Sequence, residues 1–238
     1  MRALLLAAGF GTRLRPITDT IPKCLVPING RPLLDHWLEL LAGGGVTQVL
    51  VNLHYLPEVV EAFLAKSTHS LKITTVFEEL LLGTAGTVLK NRDYFQQEPV
   101  MLIHADNLSL FDVREFIREF NDRESVIDIT MMTFDTDAPA NCGIVELDEN
   151  GVVRAFHEKV KNPPGKLANA AVYILAPAVV EFIAGLNKEI IDFSNDVLPS
   201  YIGRINTFHN GTYHRDIGNI KSLVAAQIEY PVAAARAS

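Results

Sequence analysis

ALLLAAGFGTRLRP, residues Ala3–Pro16, begins as an unbroken apolar run, breaks at Gly9 and Gly11, and then carries Arg13 and Arg15 with no acidic residue among them. A run that is apolar at every position, instead of alternating, is what a strand covered on both faces requires. The glycines let the backbone come close to an anion, amides in such a turn can point at it, and the arginines add positive charge. A tight turn that merely needs positive φ uses glycine in the same way, so the loop alone leaves both readings open. It is not a dinucleotide fingerprint, because GxGxxG would put glycine at Leu14, and no GK[ST] follows to make a Walker A loop.

Outward from this loop, short apolar runs alternate with amphipathic ones: PLLDHWLELLAGGG reads as a helix, TQVLVNL as a strand, PEVVEAFLAKS as a helix and LKITTVF as a strand. This is the beat of a doubly wound parallel sheet. PVMLIHA is a further buried strand, DVREFIREFNDR a helix with Phe116, Ile117 and Phe120 on one face, and VIDITMMTF another strand. From Cys142 the pattern changes to a hairpin, CGIVELDENGVVRAFHEK, turning at Asp148–Gly151. ANAAVYIL follows as a strand, PAVVEFIAGL as a helix opened by Pro177, and TYHRDIGNIKSLVAAQIEY as a strand end running into a last helix.

The 238 residues fit one large domain or two small ones. A net charge of −7 argues against a protein that coats nucleic acid. Cys24 and Cys142 lie far apart without CxxC spacing, which suggests neither a disulfide framework nor a zinc site. No apolar run approaches bilayer length, and Ala3–Ala8 is too short for a signal segment. The expectation is a soluble, unprocessed, cytoplasmic protein with no nucleic-acid or membrane partner.

Ligands of open α/β sheets lie beyond the carboxyl ends of the strands, which directs attention to the loops there. IPKCLVPING places Lys23 ten residues after Arg13. A single lysine is ordinarily a solvated side chain. EELLLGTAGTVLK reads as a tight turn at Gly83 followed by a helix. Asp106, just past a strongly apolar strand, suits an N-cap as well as a metal ligand. Asp216, taken alone, reads first as an N-cap of the last helix. Gly143, the Glu158–Lys159 pair and Asn169 admit a β-bulge glycine, a cross-strand ion pair and a turn asparagine.

Together these segments resemble the sugar 1-phosphate nucleotidylyltransferases, especially the mannose/heptose 1-phosphate guanylyltransferase type. The match joins a G-x-G-T-R-x-x-P-x-T loop to a P-K-x-x-x-P segment about ten residues later, then to LGTAG, a D-I-G motif and an acceptor series. The resemblance implies a Rossmann-like, doubly wound mixed sheet of the GT-A-like nucleotidyltransferase fold. It would form a single domain over 1–238, about 1–140 mainly binding nucleotide and about 141–238 mainly sugar phosphate. It further implies that Arg13 grips the outer phosphates and Lys23 the α-phosphate. Leu6, Ala8, Gly9, Gly11 and Thr12 would line the nucleotide, while Leu82, Gly83, Thr84, Ala85 and Gly86 cup the base.

Asp106 and Asp216 would hold Mg²⁺, an ion that suits two carboxylates plus substrate phosphates. Gly143, Glu158, Lys159 and Asn169 would bind the sugar phosphate. The chain departs from the family pattern at Cys24, Ala105, Val160, Ala171, His214 and Asn219, several of them on the acceptor side. The implied substrates are a nucleoside triphosphate, GTP first, and mannose or manno-heptose 1-phosphate, handled by a monomer or homodimer. Alternatives are uridylyl or thymidylyl transfer to another sugar 1-phosphate such as N-acetylmuramate or glucose 1-phosphate, or a non-catalytic sugar-nucleotide sensor. A nicotinamide oxidoreductase is disfavoured by Leu14, and choline-phosphate cytidylyltransfer would need an aromatic cage for the acceptor.

Overall fold

The structure, a computed structural model, describes residues 1–237. In chain order the main elements are β1 (Arg2–Leu6), β2 (Pro27–Ile28), β3 (Arg31–Pro32), α1 (Leu33–Gly43), β4 (Gln48–Leu53), α2 (Pro57–Leu64) and β5 (Lys72–Phe77). They continue with α3 (Thr84–Lys90), α4 (Arg92–Phe95), β6 (Val100–His104), β7 (Asn107–Leu110), α5 (Val113–Asn121), β8 (Ile129–Asp135), β9 (Gly143–Leu147) and β10 (Val153–Glu158). The last are β11 (Leu167–Leu175), α6 (Pro177–Gly185), β12 (Ile205–His209), β13 (Tyr213–Asp216) and α7 (Ile220–Ala237). The fold is mixed α/β on a mostly parallel sheet, and the helix and strand expectations of the first half hold element by element.

The chain forms two compact units, each assembled from separate stretches. The first contains Met1–Leu81, Ile103–Val113 and the chain from Thr212 onward; the second contains Leu82–Leu102 and Arg114–Gly211. The chain thus crosses between units at four places, and the last helix belongs with the first strand, not with the hairpin that precedes it.

In the first unit β1, β4 and β5 run parallel, with Leu4 beside Leu50 and Leu50 beside Thr74. Ala3, Leu4 and Leu5 have no exposed surface. Each such buried leucine contributes about 2 kcal/mol, so the strand is pinned before its loop begins. β7 and β13 make a short antiparallel ribbon that sets Asn107 opposite Asp216. Leu14, Val26, Ile28, Leu33, Leu108, Ile217, Leu223 and Ala226 form one apolar cluster, which anchors the residues flanking Arg13, Lys23, Asp106 and Asp216.

In the second unit β8 pairs antiparallel with β11 and parallel with β12. β9 and β10 form the expected hairpin, turning through Gly151 at φ +78, with the Asp148 carboxylate accepting from the amides of Asn150 and Val152. Phe116 and Phe120 of α5 are buried, as the helical spacing predicts. Among the described residues, no helix is long and apolar enough to cross a membrane.

Candidate active site

The first unit brings together Arg13, Lys23, Asp106 and Asp216. The loop after β1 is shaped by Gly11, which takes a left-handed conformation, φ +63 and ψ +26. A Cβ there would lie 2.9 Å from Thr18 Cγ2 and 3.0 Å from Lys23 Cβ. The Gly11 carbonyl accepts from the Leu14 amide at 2.9 Å and from the Thr18 hydroxyl at 2.7 Å. This starts the tight Thr12–Leu14 turn that carries Arg13, and buried Leu14 fastens the turn to the core. Leu6, at the strand end, accepts from the Ala105 amide; Ala8 is buried; and Gly9 has open space where a Cβ would stand. Arg15 turns away to pair with Asp19 on the surface.

Lys23 opens a second short turn, Lys23–Leu25, and its side chain is only 8% exposed. Its Nζ donates to Asp106 Oδ2 at 2.7 Å and stands 3.7 Å from Asp216 Oδ1. The two carboxylates remain 42% and 53% exposed, so the cation is enclosed while the acids face outward. Burial works to raise the Asp106 pKa; the neighbouring Lys23 charge, with help from His104, outweighs it and holds the carboxyl below its ordinary range. Short charge-assisted bonds of this kind are strong and directional.

The two acids reach this point by different routes. Asp106 follows β6 and precedes β7 and is not at a helix start, which removes the N-cap reading. Asp216 ends β13, four residues before α7, and does not cap it either. Asn219 does the capping, its side chain accepting from the Ser222 amide while the Ser222 hydroxyl accepts from the Asn219 amide. The Ile217 amide donates to the Asp106 carbonyl, tying the two acidic segments together. A Cβ on Gly218 would collide with Asp216 Oδ2 and sit 3.1 Å from Arg13 Nη2, so the glycine keeps clear the place where those groups converge. His214 is half-buried, shares a hydrogen bond with Ser109 Oγ over 2.6 Å, and is driven by loss of solvation down to about 3, a neutral ring at physiological pH.

The segment Leu82–Gly86 lies in the second unit, at the start of α3. Gly83 adopts φ +78, ψ +168, and a Cβ would strike the Ile191 backbone. The amides of Ala85 and Gly86 donate to the Ile191 carbonyl, and the Leu82 carbonyl accepts from the Ile191 amide. The Thr84 hydroxyl accepts from the Phe193 amide. Much of this segment's hydrogen bonding is therefore spent on holding Glu189–Phe193, a tie between segments a hundred residues apart that local pattern does not reveal.

Gly143, Glu158, Lys159 and Asn169 also gather in the second unit, on β9–β11 and the turn after β10. Glu158 pairs with Gly143, whose missing Cβ leaves room for the Glu158 carboxylate and the Phe156 ring. Lys159 Nζ stands 3.0 Å from Glu158 Oε1 and is itself 66% exposed, with its backbone left-handed at φ +48. Asn169 donates through Nδ2 to the Tyr173 hydroxyl at 2.6 Å and accepts at Oδ1 from the Ala171 amide, in a bulge of β11. Ala171, where the family has glycine, is left-handed at φ +54.

Asp106 and Asp216, partly open to solvent beside the enclosed Lys23 ammonium, offer hard carboxylate oxygens, a donor chemistry that fits a divalent cation such as Mg²⁺. Among the described residues there is no group of three or more His, Cys, Asp or Glu side chains placed to hold a metal ion.

The model of the nucleotidyl transferase family matches residues 2–231. The chain is 36% identical over 200 residues to the probable mannose-1-phosphate guanylyltransferase 1 of Oryza sativa subsp. japonica, covering 80% of this chain and 55% of that protein. It is 32% identical over 231 residues to the glucose-1-phosphate thymidylyltransferase of Streptomyces griseus, covering 94% and 64%. The chain thus spans 55% and 64% of the length of these two relatives. The crystal structure of HddC from Yersinia pseudotuberculosis complexed with GMP-PN superposes with a TM-score of 0.81 at 25% identity, over 96% of this chain and 99% of that one. A family match that runs over nearly the whole chain places it: the chain belongs to the nucleotidyl transferase family.

Proposed function

We propose that this chain transfers a nucleotidyl group from a nucleoside triphosphate to a sugar 1-phosphate, giving a nucleotide sugar and pyrophosphate, with GTP and mannose or manno-heptose 1-phosphate as substrates. The observation that carries this reading is Lys23 Nζ held by Asp106 at 2.7 Å and beside Asp216 at 3.7 Å, under the Gly11–Arg13 loop. The guanylyl choice draws support from the rice relative and from the neighbour crystallised with GMP-PN. Thymidylyl transfer to glucose 1-phosphate is the second reading, favoured by the Streptomyces relative.

A phosphate monoester is already a competent nucleophile near neutral pH, so the chemistry asks for positioning and charge stabilisation more than for a base. Lys23 would neutralise charge at the α-phosphate, and Arg13 on the outer phosphates would favour departure of pyrophosphate. Asp106 and Asp216 would hold Mg²⁺, which supplies further charge neutralisation on the phosphates when bound. Glu158, Lys159 and Asn169 would contact the acceptor. Ordinary nucleophile–base pairs of acyl transfer are not required.

The test is a matrix of GTP, UTP, dTTP, CTP and ATP against mannose, manno-heptose, glucose and N-acetylmuramate 1-phosphates, with Mg²⁺, read by pyrophosphate release. Release with GTP and a manno-configured acceptor is expected. No release in any combination would overturn the enzymatic reading and favour a silent binding protein.

A further inference from the structure

The end of β4 and the turn after it, Asn52–Tyr55, reach back to the loop after β1 at three points. Asn52, 3% exposed, accepts through Oδ1 from the Ala7 amide at 2.7 Å. His54 donates from Nδ1 to the Glu78 carbonyl at 2.7 Å, and its ring meets the Phe10 ring edge-on, with centroids 5.0 Å apart. Tyr55 packs its ring against Phe10 at 5.7 Å and donates its hydroxyl to the Thr18 carbonyl at 2.9 Å. Thr18 has no exposed surface, and its own hydroxyl donates to the Gly11 carbonyl. The chain of bonds therefore runs from Tyr55 through Thr18 to Gly11, the residue whose left-handed backbone launches the turn bearing Arg13.

We propose that Tyr55 is a positioning residue for the nucleotide: it touches no phosphate, and through Thr18 it holds Gly11 and the Arg13 turn in the conformation that grips the triphosphate. This rests on the nucleotidyl-transfer reading above. The geometry supplies the reason. A loop with two glycines is entropically expensive to order, and a binding loop already ordered in the free protein spares the ligand that cost. The Thr18 carbonyl is one end of this brace, and no residue of the loop itself supplies the hydroxyl that meets it. Phe10, 43% exposed between the two glycines, is braced by the same turn, which accounts for a large apolar side chain kept on an outward loop.

Tyr55→Phe removes the hydroxyl and leaves the ring against Phe10. The expected result is a GTP KM raised about five-fold, the value of one neutral hydrogen bond of about 1 kcal/mol, with the KM for mannose 1-phosphate unchanged and Tm lowered by no more than about 2–4 °C. Hydrogen exchange in the ligand-free protein is expected to speed up at the Leu14 and Arg15 amides, which donate into this turn. A GTP KM and loop exchange both equal to wild type would overturn the proposal; so would equal weakening of both substrates, whatever the change in Tm, which marks a merely structural tyrosine. Should the wild-type protein release no pyrophosphate, the functional reading fails on that result, and the exchange measurement alone still decides whether Tyr55 orders the loop.

Discussion

Gly11→Ala inserts a methyl group where the loop after β1 has no room for one. The backbone there is left-handed, φ +63, which costs an alanine about 1 kcal/mol. The new Cβ would stand 2.9 Å from Thr18 Cγ2 and 3.0 Å from Lys23 Cβ. Thr18 is wholly buried and Lys23 is 7% exposed, so neither can swing aside into solvent. Overpacking of a closed site adds about 1–3 kcal/mol, for a total of about 2–4 kcal/mol. In a chain of this size that corresponds to a Tm lower by roughly 5–15 °C. Gly9→Ala is the internal control, because nothing lies within 4 Å of its Cβ position and its φ is not positive. Its stability should stay within about 0.5 kcal/mol of wild type. Thermal melts followed by circular dichroism, with urea titrations to give m-values, compare the two. A Gly11→Ala protein that melts together with Gly9→Ala would refute the packing argument and, with it, the role assigned to Gly11 in shaping the turn that carries Arg13.

Ala171→Gly should stabilise the protein by about 0.5–1 kcal/mol, since it relieves a left-handed alanine at φ +54 and gives up part of that gain to the freer unfolded chain; a lower Tm would show that the Ala171 methyl packs usefully in the β11 bulge. Asp35 is pushed up by burial but held below the usual carboxylate range by hydrogen bonds from His69 and Arg31. Because its folded pKa is depressed, its stabilisation is present above about pH 4 and fades as pH falls through the folded value. Asp35→Asn should therefore melt about 1–3 °C below wild type at pH 7 and together with it near pH 2; an equal gap at both pH values would remove the charge from the explanation.

What local pattern could show, it showed. β1 and β4 are legible because buried parallel strands are almost continuously apolar, β5 as a β-branched run although it lies half-exposed at the sheet edge, and α1, α2, α5 and α6 because their apolar residues recur at helical spacing. The pairing of β7 with β13 is not legible: NLSL is four residues long, and its partner lies about a hundred positions away. Nor is the division into units, whose crossings at Leu81/Leu82, Leu102/Ile103, Val113/Arg114 and Gly211/Thr212 carry no composition shift. Asp106 and Asp216 looked like possible caps because a carboxylate after a strand gives the same local signal in both roles; only the position of α7, with Asn219 as its cap, separates them. Thr18 closes the G-x-G-T-R-x-x-P-x-T pattern, but its bond to the Gly11 carbonyl is not readable from it. Asn52 and Tyr55 escaped notice because their hydrogen bonds are made to the backbone of a distant loop, and a side chain that braces another loop leaves no spacing pattern of its own.

In the proposed reaction Asp106 and Asp216, gathered around Lys23, carry the transfer step. Its most direct test is the Mg²⁺-dependent rate of pyrophosphate release by Asp106→Asn and Asp216→Asn, measured with GTP and mannose 1-phosphate beside wild type, with folding checked by circular dichroism. Each variant is expected to fold and to lose about 100-fold or more in kcat. A folded Asp106→Asn protein turning over within about three-fold of wild type, a barrier change of under about 1 kcal/mol, would contradict it.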